Sequence, residues 1–192
     1  MSAGARREQI LDVTHRIVDA EGFHAATVAR IAEDAGINRS LIYQQFGDLP
    51  GLFVALIDRE FARAGAQFLA ATAQTDAADA TPPLIRTFMA MLDAVDADPA
   101  TWRLVVLPPE GTPPALHERL ATAQQFVLTY IEQRLVSAIP GLRDPELTAH
   151  LFHAAGRQLL ALRLKDPTFA TPERLRALMN DLNDNIRTAV ST

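Results

Sequence analysis

The sequence predicts an all-α protein, with a three-helix domain over residues 1–48 and a larger helical domain over residues 49–192. Three observations predict it. Apolar residues recur at three- and four-residue steps along most of the chain, the period of a helix with one buried face. One helix-start signal repeats at Thr81-Pro82, Asp98-Pro99, Thr112-Pro113, Asp144-Pro145 and Thr171-Pro172. Each pair sets a capping side chain before a proline at the first helical position, where the missing N–H has no partner to lose. No segment alternates at period two with β-branched enrichment, so no strand is expected.

A first helix is expected from about Ala5 to Glu21, with Ile10, Val13 and Ile17 inward and Gly22 ending it. Residues Thr27 to Phe46 then hold two short helical patterns that meet at a glycine. Val28, Ile31 and Ala32 make the first one amphipathic. Gly36 lets the chain leave that helix at positive φ, and Asn38 caps the second. Leu41 and Ile42 face inward, which leaves Arg39, Ser40, Tyr43, Gln44 and Gln45 outward. This is the layout of a helix-turn-helix.

A long fourth helix is expected from about Leu49 to Thr72, capped by Asp48, with Leu52, Phe53, Leu56, Ile57 and Phe61 inward. Gln74 to Ala80 is small and polar, a loop. Helices follow over about Pro82 to Ala97 and Pro99 to Leu107, then a stiff connector rich in proline. A further helix runs to about Ser137, and the last two cover about Pro145 to Lys165 and Pro172 to Val190.

At 192 residues and 48% apolar content the chain can bury the core of one or two domains. It has no cysteine, which excludes disulfide scaffolds, Cys-ligated zinc and thiol catalysis. Apolar runs fall far short of the roughly 18 residues that span a bilayer. The opening Met-Ser-Ala-Gly-Ala-Arg-Arg-Glu-Gln carries no apolar stretch behind its basic pair, so no secretory signal is expected. A cytoplasmic protein without a membrane partner is the expectation.

Charge argues mildly against a nucleic-acid partner. The net charge is −5, and residues 1–48 carry five arginines against seven acids. Distribution outweighs the sum, however. Arg6 and Arg7 sit at the N-terminus, and Arg30 and Arg39 lie on the two-helix motif. Asp12, Asp19 and Glu21 belong to a separate helix. Arg and Gln can pair bidentately with base edges, while Ser and Tyr suit phosphates.

The first sixty residues resemble the TetR family of bacterial transcriptional regulators. The resemblance rests on Ile10-Leu11, Glu21-Gly22-Phe23, Thr27-Val28, Ile31-Ala32, Ala35-Gly36-Ile37, Ile42-Tyr43, Phe46 and Leu52 at their joint spacing. It implies a DNA-binding head and a divergent helical domain that binds a small effector and forms a homodimer. It also implies phosphate contacts from Thr27 and Tyr43, and a major-groove surface of Arg39, Ser40, Gln44 and Gln45. There is one departure. The family places a lysine just after the turn that follows the third helix, and here Leu49 stands there. Losing one phosphate contact per half-site flattens the salt dependence of binding. Arg6, Arg7 or Arg30 are the candidates to replace it.

The last two helices carry apolar stripes: Leu147, Leu151, Ala154, Ala155 and Leu162 on one, Leu175, Leu178, Leu182, Ile186 and Ala189 on the other. A four-helix bundle across a two-fold axis is their expected use. An effector cavity would be apolar with a few polar groups. Its candidates are Phe88, Met89, Met91 and Leu92, with Trp102, Phe126 and Tyr130, and His153 and Arg157 as polar handles. For each aromatic or Met, simple core filling competes with this role. His150 and His153 lie three apart, but a helical His pair without Cys reads as packing or surface, so no metal and no cofactor is expected. Enzyme motifs are missing: no phosphate-binding glycine loop, no G-x-S-x-G and no H-E-x-x-H.

The sequence therefore points to a dimeric, ligand-responsive regulator, by preference a repressor, on palindromic operator DNA. The competing readings are a helical small-molecule binder with a vestigial head, and a helical enzyme.

Overall fold

The computed structural model describes residues 2–73 and 81–190, with side chains through Leu182. The loop expected from Gln74 to Ala80 lies outside the described residues, as do the side chains of Ile186 and Ala189. Among the described residues the regular structure is helical: α1 (Ala3–Glu21), α2 (Val28–Ala35), α3 (Arg39–Phe46), α4 (Leu49–Ala73), α5 (Pro83–Ala97), α6 (Pro99–Val106), α7 (Pro114–Ala138), α8 (Pro145–Lys165) and α9 (Pro172–Val190). A single 3-10 turn, Phe23–Ala25, was not legible in the sequence. It is too short to show a period.

The repeated proline signal works as expected at two kinds of site. Asp144 accepts from the Leu147 N–H at 3.0 Å, and Thr171 accepts from the Arg174 N–H at 3.2 Å. α6 opens at Pro99, directly after Asp98. At Thr81-Pro82 and Thr112-Pro113 the helix starts one residue later, at Pro83 and Pro114. The cause is the second proline. A residue before proline is excluded from the helical region, so the first proline stays extended. Pro82 has φ −54° and ψ 139°, with no side-chain cap.

The chain divides into two compact units, one of residues 1–64 with 100–122 and the other of 65–99 with 123–192. In the first unit, α1, α2, α3 and the start of α4 close around Ile10, Val18, Ile31, Ile42, Leu52 and Leu56, joined by Leu104 and Leu116. Ile10, Ile31 and Ile42 are fully buried. Burying a side chain of this size contributes about 1.5–3 kcal/mol. Phe23 meets Phe53 edge to face at 5.0 Å. Gly22, at φ 87°, ends α1, and the Phe23 N–H donates to the Glu110 carbonyl at 3.1 Å. A Cβ at Gly22 would lie 3.1 Å from that same oxygen, so both backbone angle and space require glycine.

Behind the head, the same unit buries a charge. Glu60 on α4 is fully buried. It accepts from Arg59 Nε at 2.7 Å and Arg63 Nη1 at 3.3 Å, and also from the Thr101 hydroxyl on α6. His15 Nδ1 lies 3.5 Å away on α1. Arg59 reaches on to Asp12 at 2.7 Å and Glu8 at 3.1 Å. One carboxylate thus ties α1, α4 and α6 together. Asp19 and Arg103 form a bidentate pair, both distances 2.6 Å.

In the second unit, Leu128, Ile131, Leu135 and Ala149 form a small core with Tyr130 and Leu142 against it. Asp96 pairs with Arg163 at 2.7 Å, and Asp93 with Arg176, tying α5 to α8 and α9.

Candidate nucleic-acid interface

The two-helix motif is built from its caps outward. Thr27 is extended (φ −85°, ψ 155°), and its Oγ1 accepts from the Arg30 N–H at 3.2 Å, which caps α2. The hydroxyl hydrogen remains able to donate to an anion beside the positive end of the helix. α2 stops at Gly36, which is left-handed at φ 63° and ψ 40°. The Ile37 N–H returns to the Ala32 carbonyl at 2.9 Å, closing the turn. Asn38 Oδ1 accepts from the Ser40 N–H at 3.0 Å and opens α3.

On α3, Ile42 is the inward anchor, fully buried. Arg39, Ser40, Tyr43 and Gln44 are all exposed. At roughly 100° per residue they share one arc of about 140° on the helix surface. Tyr43 is 51% exposed, which is unusual for a large ring that could pack. Gln45 departs from the expectation of an outward position. It falls between Leu41 and Ile42 around the helix and is half-buried. A simple inside/outside division by polarity misplaced it, because α3 is short and packs on a wide arc.

The cations of the head are mostly engaged. Arg30 Nε binds Asp34 at 2.9 Å, and its Nη2 binds Glu21 at 3.2 Å. The hydrogen bond to Asp34, then its charge and that of Glu21, hold the Arg30 proton more tightly than usual. Arg6 Nη1 binds Gln9 at 2.7 Å. Arg7 Nη1 donates to the Gln45 carbonyl at 2.8 Å, and its guanidinium lies 4.3 Å over the Phe46 ring. Leu49, where the family pattern has lysine, is half-buried against the head's core. Sequence reasoning could not see these pairings, since each joins residues brought together only by folding or by a chosen rotamer.

The effector candidates separate between the two units. Trp102 is buried in the first. Phe88, Met89, Met91, Phe126, Tyr130, His153 and Arg157 are in the second. There Phe68, which the sequence did not single out, meets Phe126 at 5.9 Å and Tyr130 at 5.4 Å, both edge to face. The Tyr130 hydroxyl bonds Thr87 at 2.8 Å, and Arg134 lies 5.2 Å over the Tyr130 ring. Phe88 sits beside Gly156, where an added Cβ would be 3.8 Å from the ring. Burial, then the charges of Arg157 and His150, lower the His153 pKa. Met91 and Leu92 are buried, which fits core filling as well as a cavity wall. Separately, the first unit has a cleft of about 220 Å³ between α1 and α6, lined by His15, Val18, Leu104 and Leu107 and flanked by the Asp19–Arg103 pair. No sequence signal marked it, because its lining residues are spread over almost a hundred positions.

Residues 10–56 match the family model described as bacterial regulatory proteins, tetR family. The chain is 39% identical over 57 residues to the HTH-type transcriptional repressor AcnR of Corynebacterium glutamicum. That match spans only 30% of this chain and 30% of the relative's length. A transcriptional regulator structure from Pseudomonas aeruginosa PAO1 superposes with a TM-score of 0.75, covering 98% of this chain and 93% of that one at 20% identity. A complex of SmeT with triclosan gives 0.70 at 18% identity, covering 93% and 90%. At such identities the two structures carry the fold alone, while the sequence match carries the head. Residues 10–56 thus carry the match to the tetR family of bacterial regulatory proteins, and the helical fold is similar to that of the solved regulators.

Proposed function

We propose that the protein is a transcriptional repressor that binds a palindromic operator as a homodimer and is released by a small-molecule effector. The observation that carries it is the exposed arc of Arg39, Ser40, Tyr43 and Gln44, held outward by the buried Ile42 and opened by the Asn38 cap. Arg39 and Gln44 read base edges; Tyr43 and the Thr27 hydroxyl bind phosphates. Arg30 joins them only by leaving Glu21 and Asp34, so its contribution is small. Residues 1–48 form the reading head, and residues 49–192 bind effector and dimerise.

The dimer reading is supported by apolar side chains left open on α8 and α9. Leu147 and Leu151 are each 67% exposed, and Phe152, Leu178 and Leu182 exceed 40%. A soluble chain covers such a stripe. Two heads about one helical turn apart then read two half-sites. The effector reading is supported by the Phe68, Phe126 and Tyr130 rings with Phe88, Met89, His153 and Arg157 in the same unit. An effector acts by preferring a state whose head separation does not fit the operator, and one without such a preference does nothing.

The rival reading is a small-molecule binder with a vestigial head, favoured by the acid-engaged arginines. Selection from random duplex DNA separates the two. Recovery of a palindrome supports the regulator; negligible, salt-independent DNA affinity beside ligand quenching of Trp102 supports the rival.

A further inference from the structure

We infer that Arg7, with Gln9, is a positioning residue that sets the angle of the reading helix, and is not a phosphate contact. The inference rests on the DNA-binding role proposed for α3. Arg7 and Gln9 are two residues apart near the start of α1, and each reaches the carbonyl end of one motif helix. Gln9 Nε2 donates to the Ala35 carbonyl, the last residue of α2, at 3.1 Å. Arg7 Nη1 donates to the Gln45 carbonyl in the last turn of α3 at 2.8 Å. These ends are where helix carbonyls lack intrahelical partners and where a cation meets the negative end of the dipole. Arg7 is doubly held, because its guanidinium also covers the Phe46 ring at 4.3 Å. Both residues are half-buried, whereas Arg39 is exposed.

The consequence is a division of labour. α2 and α3 are eight residues each, too short to hold their mutual angle alone. α1 clamps the far end of each, so the groove-facing arc of α3 keeps its aim. Arg7 uses one N–H donor and its flat face at once, which lysine cannot reproduce. Charge at position 7 is therefore incidental to DNA, while geometry at position 7 is needed for specificity.

The test compares Arg7→Lys, Arg7→Gln and Gln9→Ala with wild type on the selected operator and on random duplex, across a salt series. Positioning requires that Arg7→Lys loses roughly tenfold of the operator-to-random affinity ratio, because an ammonium cannot hold the Gln45 carbonyl and lie flat over the Phe46 ring at once. It requires that Arg7→Gln, which loses both the reach to the Gln45 carbonyl and the flat cation over Phe46, loses at least as much of that ratio. The slope of log affinity against log salt stays at the wild-type value in all three. A slope reduced by about 0.9 per head in Arg7→Gln, with Arg7→Lys normal, is the signature of a phosphate contact and overturns the inference. Amide exchange of Phe46 and Gly47, read without DNA, guards against variants that bind poorly for other reasons. It accelerates in Arg7→Lys if the clamp exists, and unchanged exchange overturns it. Wild-type protein that prefers no duplex would overturn the DNA-binding reading itself, whereas operator binding indifferent to Arg7→Lys overturns this inference alone.

Discussion

Four side chains on α3 and one glycine before it decide most of what the head can do. Arg39→Ala removes a fork of donors from an exposed position, so stability should hold while operator affinity falls by about 1–3 kcal/mol. Anisotropy titration beside a thermal melt checks both halves of that statement. Gly36→Ala makes the opposite case. Nothing lies within 4 Å of an added Cβ there, so the cost is backbone strain alone at φ 63°. Denaturant melts should show a loss of roughly 1–2 kcal/mol, the penalty for a left-handed alanine. His153 adds a pH dependence. Its folded pKa is lowered by burial first, so the folded state prefers the neutral ring. Unfolded chains take up the proton from about pH 6.5 downward. Stability is then fully present above that value and declines as pH falls toward the depressed folded pKa. His153→Gln should flatten melts measured across pH 5–7.

At this scale the sequence was readable where chemistry is local. Asn38, Asp144 and Thr171 cap the helices their spacing announced. Gln45 was not, since its half-buried place depends on what α3 packs against. Arg7 and Arg30 were not, because their partners are chosen by tertiary geometry and not by spacing.

Helices and their junctions carry the next level. The order of α1 to α9 follows from periodicity and start signals, and the boundaries differ from expectation by only a residue or two. The exception with a lesson is the double proline. Where Pro82-Pro83 and Pro113-Pro114 occur, the rule against helical geometry before proline outranks the preference for proline at the first position. The buried Glu60 stayed hidden, since nothing in Asp-Arg-Glu-Phe distinguishes it from a solvated acid. It joins α4 to α1 through His15 and to α6 through Thr101. Removing one partner of a buried charge cluster leaves the others uncompensated. Glu60→Ala should therefore lower stability by about 3–5 kcal/mol, read by chemical denaturation. A loss below about 1 kcal/mol would mean the arginines find water instead.

For the whole molecule, the open apolar stripe on α8 and α9 and the two-fold operator are one proposal seen twice. In that proposal a dimer covers Leu147, Leu151 and Leu182, and sets the spacing of two heads. Leu151→Glu places a charge on that stripe at a position where the single chain tolerates it, 67% exposed. Sedimentation velocity should report monomer, and operator affinity should fall by about a hundredfold as the second head loses its tether.

The most direct measurement is recovery of duplexes bound by the purified full chain from a random pool, followed by salt-dependent titration of the winner. The account expects a two-fold symmetric sequence whose binding weakens with salt and is abolished by the combined Arg39→Ala, Tyr43→Ala and Gln44→Ala changes. No enriched sequence, or binding indifferent to those three side chains, would contradict it.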